Sequence, residues 1–241
     1  MLWFKKVPTY AQSGLFNGFT DWHSHILPGV DDGIKTLQES LATLESYEQL
    51  GVKELWLTPH IMEECPNTTE GLKEKFEEFR NEYQGSIELH LAAENMLDAL
   101  FDERIRKEDL LPIGKEQKHL LVETSYVNPP IGMEQMVQCV FASGLTPVLA
   151  HPERYRYMDK DDYREWKDKG VLFQCNLMSL VGMYGETARS KCEWLLKEGL
   201  VDLTGSDLHR HAVLEHVLDK RPKSKDALTI LTDIAHSPAI K

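Results

Sequence analysis

The 241-residue sequence has little of what several protein classes require. Its cysteines, Cys65, Cys139, Cys175 and Cys192, form no CxxC pair and show no metal-finger spacing. We therefore interpret them as free, mostly buried thiols of a reducing cytoplasm. No apolar run approaches the roughly 20 residues of a membrane span, so we expect no insertion into a bilayer. Residues 1–19 lack the continuous apolar stretch of a signal peptide, which favours a cytoplasmic location.

Basic residues are also scarce: 27 Lys and Arg stand against 39 Asp and Glu, for a formal net charge of −12. A general nucleic-acid-binding protein needs a basic face, so no nucleic-acid partner is expected. Bound cations can still create a local anion site. The length suits one domain, and we predict an N-terminal arm over residues 1–18 followed by a single domain over residues 19–241. The arm is either flexible or a partner-binding tail, and we favour a flexible arm.

Short apolar runs alternate with segments of helical periodicity. The runs cover residues 18–21, 54–58, 87–92, 119–123, 146–150, 171–175 and 201–204. Between them lie apolar stripes at helical spacing, such as the one formed by Leu72, Phe76, Phe79 and Tyr83. This alternation, repeated about seven times, predicts a parallel sheet with crossover helices. Such a sheet can be a closed or nearly closed barrel, or an open doubly wound sheet.

Metal-binding residue types follow six of the seven predicted strands. In chain order they are His23, His25, Asp32, His60, Glu94, Glu123, His151, Asp207 and His209. The carboxyl ends of parallel strands form one face, where active sites assemble. An open sheet would spread these side chains along a line, whereas a barrel would gather them into one cup. We therefore favour an α/β barrel with its active site at the C-terminal strand face.

The spacing of these residues suits metal chelation. Two histidines at positions i and i+2 of an extended segment project from the same side, so His23 and His25 can chelate one ion. Asp207 and His209 repeat that spacing. Imidazole nitrogen and carboxylate oxygen without thiolate fit Zn²⁺, Fe or Mn²⁺. A glutamate of the set could bridge two ions.

Taken one at a time, these residues also have ordinary structural explanations. Asp32 precedes Gly33 and suits a turn, Asp207 suits a helix cap, and His60 could be satisfied by backbone. The prediction rests on the joint pattern. The remaining histidines lack this placement and are interpreted as structural or surface residues: His90, His119, His211, His216 and His236.

Seven motifs resemble one known family. HSH, LPGVDDG, TPH, ENMLD, ETSY, AHPERY and GSDLH are similar to PHP-domain phosphatases, the polymerase and histidinol phosphatase superfamily. Within it, LPGVDDG and HPERY most resemble the bacterial tyrosine-protein phosphatases of capsular and exopolysaccharide loci, the CpsB/CapC/YwqE-like group. The resemblance runs from about residue 20 to 210. It implies a distorted TIM-like (β/α)₇ barrel and three divalent metal ions, with Mn²⁺ favoured and Fe or Zn compatible.

The resemblance also implies a role for each residue. The nine metal ligands would form three groups: His23, His25 and Asp207 with Glu94 as a bridge; Glu123 and His151 with the same Glu94; and Asp32, His60 and His209. Arg154 would bind the phosphate. The family has a further arginine a few residues beyond the last DxH motif. Arg210 is the candidate here, although it lies closer to that motif than the family pattern.

The implied activity is a metal-dependent protein-tyrosine phosphatase that regulates capsular or exopolysaccharide synthesis. A metal-activated hydroxide would hydrolyse phosphotyrosine, with Arg154 stabilising the phosphoryl charge. His209 and a metal-bound water are candidates for protonating the leaving group. The substrate would be a phosphotyrosine protein, with the tail of a membrane-bound tyrosine kinase as one candidate partner. The oligomeric state is left open.

Other mechanisms and functions fit these residues less well. A cysteine phosphatase needs arginine six positions after its nucleophile, where the four cysteines are instead followed by Gly71, Leu145, Val181 and Glu198. A histidinol-phosphate phosphatase-like enzyme would differ in substrate only. A PHP nuclease is disfavoured by the acidic charge. A non-catalytic, metal-stabilised regulatory module has no physical need for all nine ligands.

Overall fold

The computed structural model describes residues 6–240, in which short strands alternate with helices. The strands are β1 (Thr20–Ser24), β2 (Glu54–Leu57), β3 (His60–Ile61), β4 (Glu88–Leu91), β5 (Glu94–Met96), β6 (His119–Glu123), β7 (Thr146–Ala150), β8 (Leu172–Asn176) and β9 (Leu203–Gly205). The helices are α1 (Tyr10–Ser13), α2 (Leu37–Leu50), α3 (Thr69–Glu82), α4 (Ala99–Arg106), α5 (Met133–Ala142), α6 (Lys160–Asp168), α7 (Gly185–Lys197), α8 (His211–Leu218) and α9 (Lys225–His236). Two 3₁₀ helices cover Pro152–Arg154 and Leu177–Val181. No helix within this range combines the length and apolar character that crossing a bilayer requires.

All strand pairs are parallel, as the alternating pattern predicts. One ladder has the order β1-β2-β4 and the other the order β3-β5-β6-β7-β8-β9. β2 and β3 are separated by Thr58 and Pro59, and β4 and β5 by Ala92 and Ala93. Two stretches of chain therefore run from the first ladder into the second, which makes a single curled parallel sheet.

The short strands β3 and β5 differ from the sequence prediction, which placed His60 and Glu94 just beyond a strand. Both residues lie inside strands, where they are direct register partners. Pro59 has no backbone N–H to donate to a ladder, so it interrupts the pairing of β2 before β3 begins. The consequence is functional, because the register brings the side chains of His60 and Glu94 together.

The first and last strands of the curled sheet meet near their carboxyl ends. The backbone N–H of Asp207 donates to the His23 carbonyl at 2.8 Å, and the N–H of His25 donates to Leu208 at 3.1 Å. Gly205 leaves no room for a side chain here, since a Cβ would lie 2.5 Å from the Cβ of His23. This close approach places the HSH and DLH motifs side by side.

The helices cover the sheet through the apolar stripes that the sequence predicts. In α3, Leu72, Phe76 and Phe79 are buried in the main hydrophobic core. Thr68 caps the start of this helix by accepting from the N–H of Gly71. A smaller core consists largely of strand residues, including the stacked rings of Trp22 and Trp56. Both cores include strand residues, so packing holds the sheet in place together with the strand ends that carry the candidate ligands.

The prediction of a flexible N-terminal arm is wrong for the part of it that the structure describes. Tyr10, Leu15 and Phe16 are buried in the main core, and Thr9 forms a capping box at the start of α1. The Tyr10 hydroxyl also donates to the Leu177 carbonyl. Isolated aromatic anchors give no periodic pattern, which is why the sequence did not reveal this packing. Residues 1–5 of the predicted arm lie outside the described residues.

Candidate metal centre

The structure brings the nine candidate ligands together at the carboxyl ends of the strands. Most are buried, and Asp32, on the loop after β1, is the most exposed, with 72% of its side chain accessible. His151 and Asp207 adopt left-handed backbone conformations, with φ of 34° and 53°. Such angles are uncommon for residues with a side chain and concentrate at functional sites. The strand ends are therefore shaped to aim these side chains inward.

The first group consists of His23, His25, Glu94 and Asp207, all buried. The Nε2 atoms of the two histidines are 3.1 Å apart. They lie 3.1 and 3.2 Å from Oε2 of Glu94, and 3.7 and 3.4 Å from Oδ1 of Asp207. Two nitrogens and two carboxylate oxygens thus surround one point, which is the donor set that a divalent cation prefers.

A second group shares Glu94, whose other carboxylate oxygen lies 2.9 Å from Nε2 of His151. Glu123 is also part of this group. Its Oε2 lies 3.7 Å from Nε2 of His151, and its Oε1 lies 2.9 Å from Nδ1 of His60. Glu94 therefore presents one oxygen to each group. This arrangement suits a carboxylate that bridges two cations.

The third group lies nearest to solvent. The Oδ1 atom of Asp32 is 3.4 Å from Nε2 of His60 and 3.3 Å from Nε2 of His209. His25 also comes within reach of this group, so it faces two positions. The grouping expected from the resemblance did not include His25 here.

Hydrogen bonds orient the histidine rings from outside. Nδ1 of His23 donates to Gln174 Oε1 at 2.7 Å, and Nδ1 of His25 donates to Asp31 Oδ2 at 2.8 Å. Nδ1 of His209 likewise faces a backbone carbonyl, at 2.9 Å. These acceptors assign the proton to Nδ1 in each neutral ring, which leaves the Nε2 lone pair directed at the centre. Acceptors behind metal-binding histidines act in this way.

Several buried polar atoms at the centre make no well-aligned hydrogen bond within residues 6–240, although some of them face one another at ion-pair distance. They are Oε2 of Glu94, Oε1 of Glu123 and one ring nitrogen, Nδ1, of each of His60 and His151. Leaving buried acceptors unpaired costs free energy. The unpaired carboxylate oxygens lie beside the positions just described, so the residues present fit a group of divalent cations.

The electrostatics of the centre also favour positive charge. Burial opposes ionisation of Glu94, but the charges of His23 and His60 hold its pKa well below the ordinary value. Burial likewise opposes protonation of the two histidines, yet the neighbouring carboxylates raise the pKa of His23 to about 9 and that of His60 to about 10. Protons therefore balance the carboxylates when no metal is bound. Divalent cations would take over that role.

Arg154 stands at the edge of the centre, at the end of the first 3₁₀ helix. Its Nη1 donates to Oδ2 of Asp207 at 2.7 Å. Its guanidinium lies between the rings of Tyr126 and Tyr184, 4.3 Å from each centroid. This stacking fixes the plane of the guanidinium while leaving part of it accessible. The position suits recognition of an anion that also contacts the centre.

A cleft of about 390 Å³ opens onto the centre. Ligand candidates and Arg154 form its polar side. The apolar part of its wall comes from Tyr126, Met178, Met183, Tyr184 and Val213. A compound with an anionic head and a flat apolar body would match both sides.

Arg210 is not brought to this cleft. It is exposed at the start of α8, and its side chain is not among those that line the cleft. The expected second phosphate contact is therefore left without an assigned residue. Conversely, sequence reasoning gave no role to Asp31, Gln174, Tyr126 or Tyr184. Asp31 belongs to the LPGVDDG motif and Tyr126 to the ETSY motif, so both were within recognisable segments. Their contacts with His25 and Arg154 are visible only in the fold.

Fold and site together define the class: an α/β protein with a curled parallel sheet and a candidate metal centre beside a partly accessible arginine. The sequence model of the family described as capsular polysaccharide synthesis, CpsB/CapC, matches residues 19–233. The chain belongs to this CpsB/CapC family.

Named relatives and one solved structure agree with this assignment. The chain is 33% identical over 222 residues to the tyrosine-protein phosphatase CpsB of Streptococcus pneumoniae, covering 84% of each. It is 26% identical over 195 residues to the tyrosine-protein phosphatase YwqE of Bacillus subtilis, covering 78% of this chain and 76% of YwqE. A crystal structure from work on YwqE and CpsB, described as metal-dependent tyrosine phosphatases, matches with a TM-score of 0.74 and 23% identity. That match covers 90% of this chain and 88% of the other, and it supports the fold.

Proposed function

We propose that this chain is a metal-dependent protein-tyrosine phosphatase that takes part in regulating capsular or exopolysaccharide synthesis. One observation carries the proposal: Arg154 contacts the ligand candidate Asp207 and lines the same cleft as the ligand cluster and the rings of Tyr126 and Tyr184. A phosphate there would contact the arginine and the centre together, while a tyrosyl ring would lie against Tyr126 and Tyr184. The relatives CpsB and YwqE, both named as tyrosine-protein phosphatases, point the same way.

The proposed cofactor is a set of three divalent ions, with Mn²⁺ favoured and Fe or Zn compatible. His23, His25, Glu94 and Asp207 would hold one ion, and Glu94, Glu123 and His151 a second. Asp32, His60 and His209 would hold the third. The orientation of the Nε2 atoms and the unpaired carboxylate oxygens support this assignment.

When bound, the ions would supply Lewis acidity, which polarises the phosphate and lowers the pKa of water enough to yield hydroxide near neutral pH. The chain's own residues do the rest. Arg154 binds the non-bridging phosphate oxygens and stabilises the charge that develops on them. Tyr126 and Tyr184 hold the guanidinium and the substrate ring in place. His209 lines the cleft, but a ring that donates from Nδ1 to a carbonyl and holds an ion through Nε2 has no proton to give, so we propose that water at the centre, rather than His209, protonates the leaving oxygen.

For the architecture we propose a distorted TIM-like (β/α)₇ barrel of the PHP type, formed by a single domain over residues 19–241. Counting β2 with β3 and β4 with β5 gives seven strand positions within the described residues. The hydrogen bonds between His23 and Asp207 and between His25 and Leu208 support closure.

We further propose a cytoplasmic location and a phosphotyrosine protein as substrate, with the tail of a membrane-bound tyrosine kinase as a candidate. The family description supports a capsular role. The net charge of −12 disfavours nucleic acid as a partner.

The proposal is tested by comparing substrates with the purified protein after Mn²⁺, Fe²⁺ or Zn²⁺ is added back. We expect kcat/KM for a phosphotyrosyl peptide to exceed that for histidinol phosphate by at least about a hundredfold. In phosphotyrosine the apolar ring is bonded directly to the ester oxygen and would lie against the cleft wall, whereas histidinol phosphate is an alkyl ester whose polar imidazole lies three carbons away. Preference for histidinol phosphate would favour the related PHP activity. Metal binding without turnover of any phosphate ester would favour a regulatory module.

A further inference from the structure

The cleft continues past Arg154 as a groove along the protein surface. Tyr126, Arg154 and Tyr184 line both the cleft and the next stretch of the groove. Arg156 and Lys191 line both that stretch and the last part of the groove, which Trp194 also lines. The proposed phosphate site is therefore not the end of a closed pocket, and a peptide could run from it along the surface.

The chain geometry turns two arginines toward this groove. Tyr155 is fully buried, and its backbone is extended, with φ of −74° and ψ of 117°. In an extended segment, the two side chains that flank a residue point to the opposite face from its own side chain. The Tyr155 side chain points into the core. Arg154 and Arg156 therefore both face outward. The N–H of Arg156 also donates to the carbonyl of Tyr126 at 2.8 Å, which ties it to the cleft wall.

Arg156 differs from Arg154 in having no partner for its charge. Among residues 6–240, its exposed guanidinium has no hydrogen bond, ion pair or ring contact. Arg154, by comparison, is held by Asp207 and two tyrosines. An unpaired cation that lines a groove next to an anion-binding cleft is a candidate contact for a ligand.

The acidic residues of the groove have other partners, so none of them pairs with Arg156. Glu153 is buried and accepts from the N–H of Asn176 and the hydroxyl of Ser179. Asp159 caps α6 by accepting from the N–H groups of Asp161 and Asp162. Glu186 pairs with Arg189 and with Lys223.

Two further cations lie in the same part of the groove. Lys160 lies 5.0 Å from the centroid of the Trp194 ring, and Lys191 donates to the carbonyls of Tyr155 and Met158. In a chain with a net charge of −12, this is a local site for negative charge.

We propose that the groove binds the peptide segment next to the phosphotyrosine, and that Arg156 binds an anionic side chain of that segment. This inference rests on the proposed function. Arg154 and Arg156 are two residues apart, so their Cα atoms are separated by at most about 7 Å. An extended peptide lying beside them covers the same distance in two residues. The anionic group, a carboxylate or a phosphorylated side chain, therefore lies about two or three positions from the phosphotyrosine.

The test compares phosphotyrosyl peptides that differ only at these positions, carrying glutamate, phosphoserine or glutamine on either side. The measured quantity is the ratio of kcat/KM for each anionic peptide to that for the glutamine peptide. We expect the wild type to favour anionic peptides by about two- to fivefold, the range of an exposed ion pair. Arg156→Gln should bring the ratio to about one, and Arg156→Glu should invert it. The glutamate and phosphoserine arms separate the two sources of charge.

The matched control is Arg106→Gln, which removes the same charge from an exposed position at the end of α4. It should keep the wild-type ratio. High salt, about 1 M, should abolish the preference because it screens exposed charges beyond about 3 Å. A wild-type ratio of one, or a ratio unchanged by Arg156→Glu, overturns the inference even if the enzyme is active. Failure of the wild type to hydrolyse p-nitrophenyl phosphate with any metal would instead overturn the proposed function.

Discussion

Replacing Glu94 by glutamine is expected to lower turnover of a phosphotyrosyl peptide by about a thousandfold, the equivalent of about 4 kcal/mol of transition-state stabilisation. Glu94 is fully buried and faces four histidines through its two oxygens. Glutamine preserves the shape but removes the charge and one acceptor, so it cannot bridge two cations. The measurement is kcat and KM, with metal content determined on the same samples.

The control for Glu94→Gln is the same substitution at Glu88, on the strand just before it. Glu88 is the first residue of β4, six positions before Glu94. It is exposed and pairs with Lys115. Glu88→Gln should keep wild-type turnover. If Glu94→Gln retained wild-type turnover while folded, as judged by circular dichroism, the central role of this carboxylate would be wrong.

Replacing Arg154 by alanine is expected to lower kcat/KM by about a hundredfold, the effect of removing one preorganised donor from a developing negative charge. Arg154 is positioned by Asp207, Tyr126 and Tyr184, so its contribution does not depend on rearrangement when substrate binds. Lysine should recover only part of the loss, because an ammonium cannot reproduce the planar, stacked guanidinium.

The control for Arg154→Ala is Arg164→Ala, which removes a half-exposed arginine from α6 that pairs with Asp161 and Glu198. That variant should retain the wild-type kcat/KM. Metal content should stay unchanged in both variants, which separates a loss of phosphate recognition from a loss of cations. An Arg154→Ala enzyme with undiminished kcat/KM would show that phosphate is bound elsewhere.

The sequence predicted best those features that depend on local pattern. Strands β6 and β7 coincide with the predicted runs 119–123 and 146–150, because each is a continuous apolar stretch bounded by polar residues. The ligand candidates His151 and Asp207 were identifiable for the same reason, since His151 directly follows run 146–150 and Asp207 lies three residues after run 201–204. The parallel α/β sheet follows from the alternation of strands and helices.

What the sequence did not reveal depends on contacts between distant parts of the chain. Gln174 orients His23 across 151 positions, and no local pattern reports that contact. Strand β3 has two residues and follows a proline, so it is too short to show periodicity. The packing of Tyr10 depends on partners near residues 177 and 220. Arg210 matched the motif order, but the start of α8 turns it to solvent.

The most direct test of a metal-dependent centre is turnover before and after the divalent ions are removed. Purified protein would be stripped with chelator, its metal content measured by mass spectrometry, and its hydrolysis of a phosphotyrosyl peptide followed as Mn²⁺ is restored. Alkylation with iodoacetamide provides the comparison, because none of the four cysteines lines the cleft. Cys139 and Cys65 are at least partly accessible to the reagent, whereas Cys175 and Cys192 are buried and burial raises the pKa of both thiols. We predict that stripping abolishes turnover, that Mn²⁺ restores it and that alkylation leaves it unchanged. Full turnover by the metal-stripped protein would contradict the account.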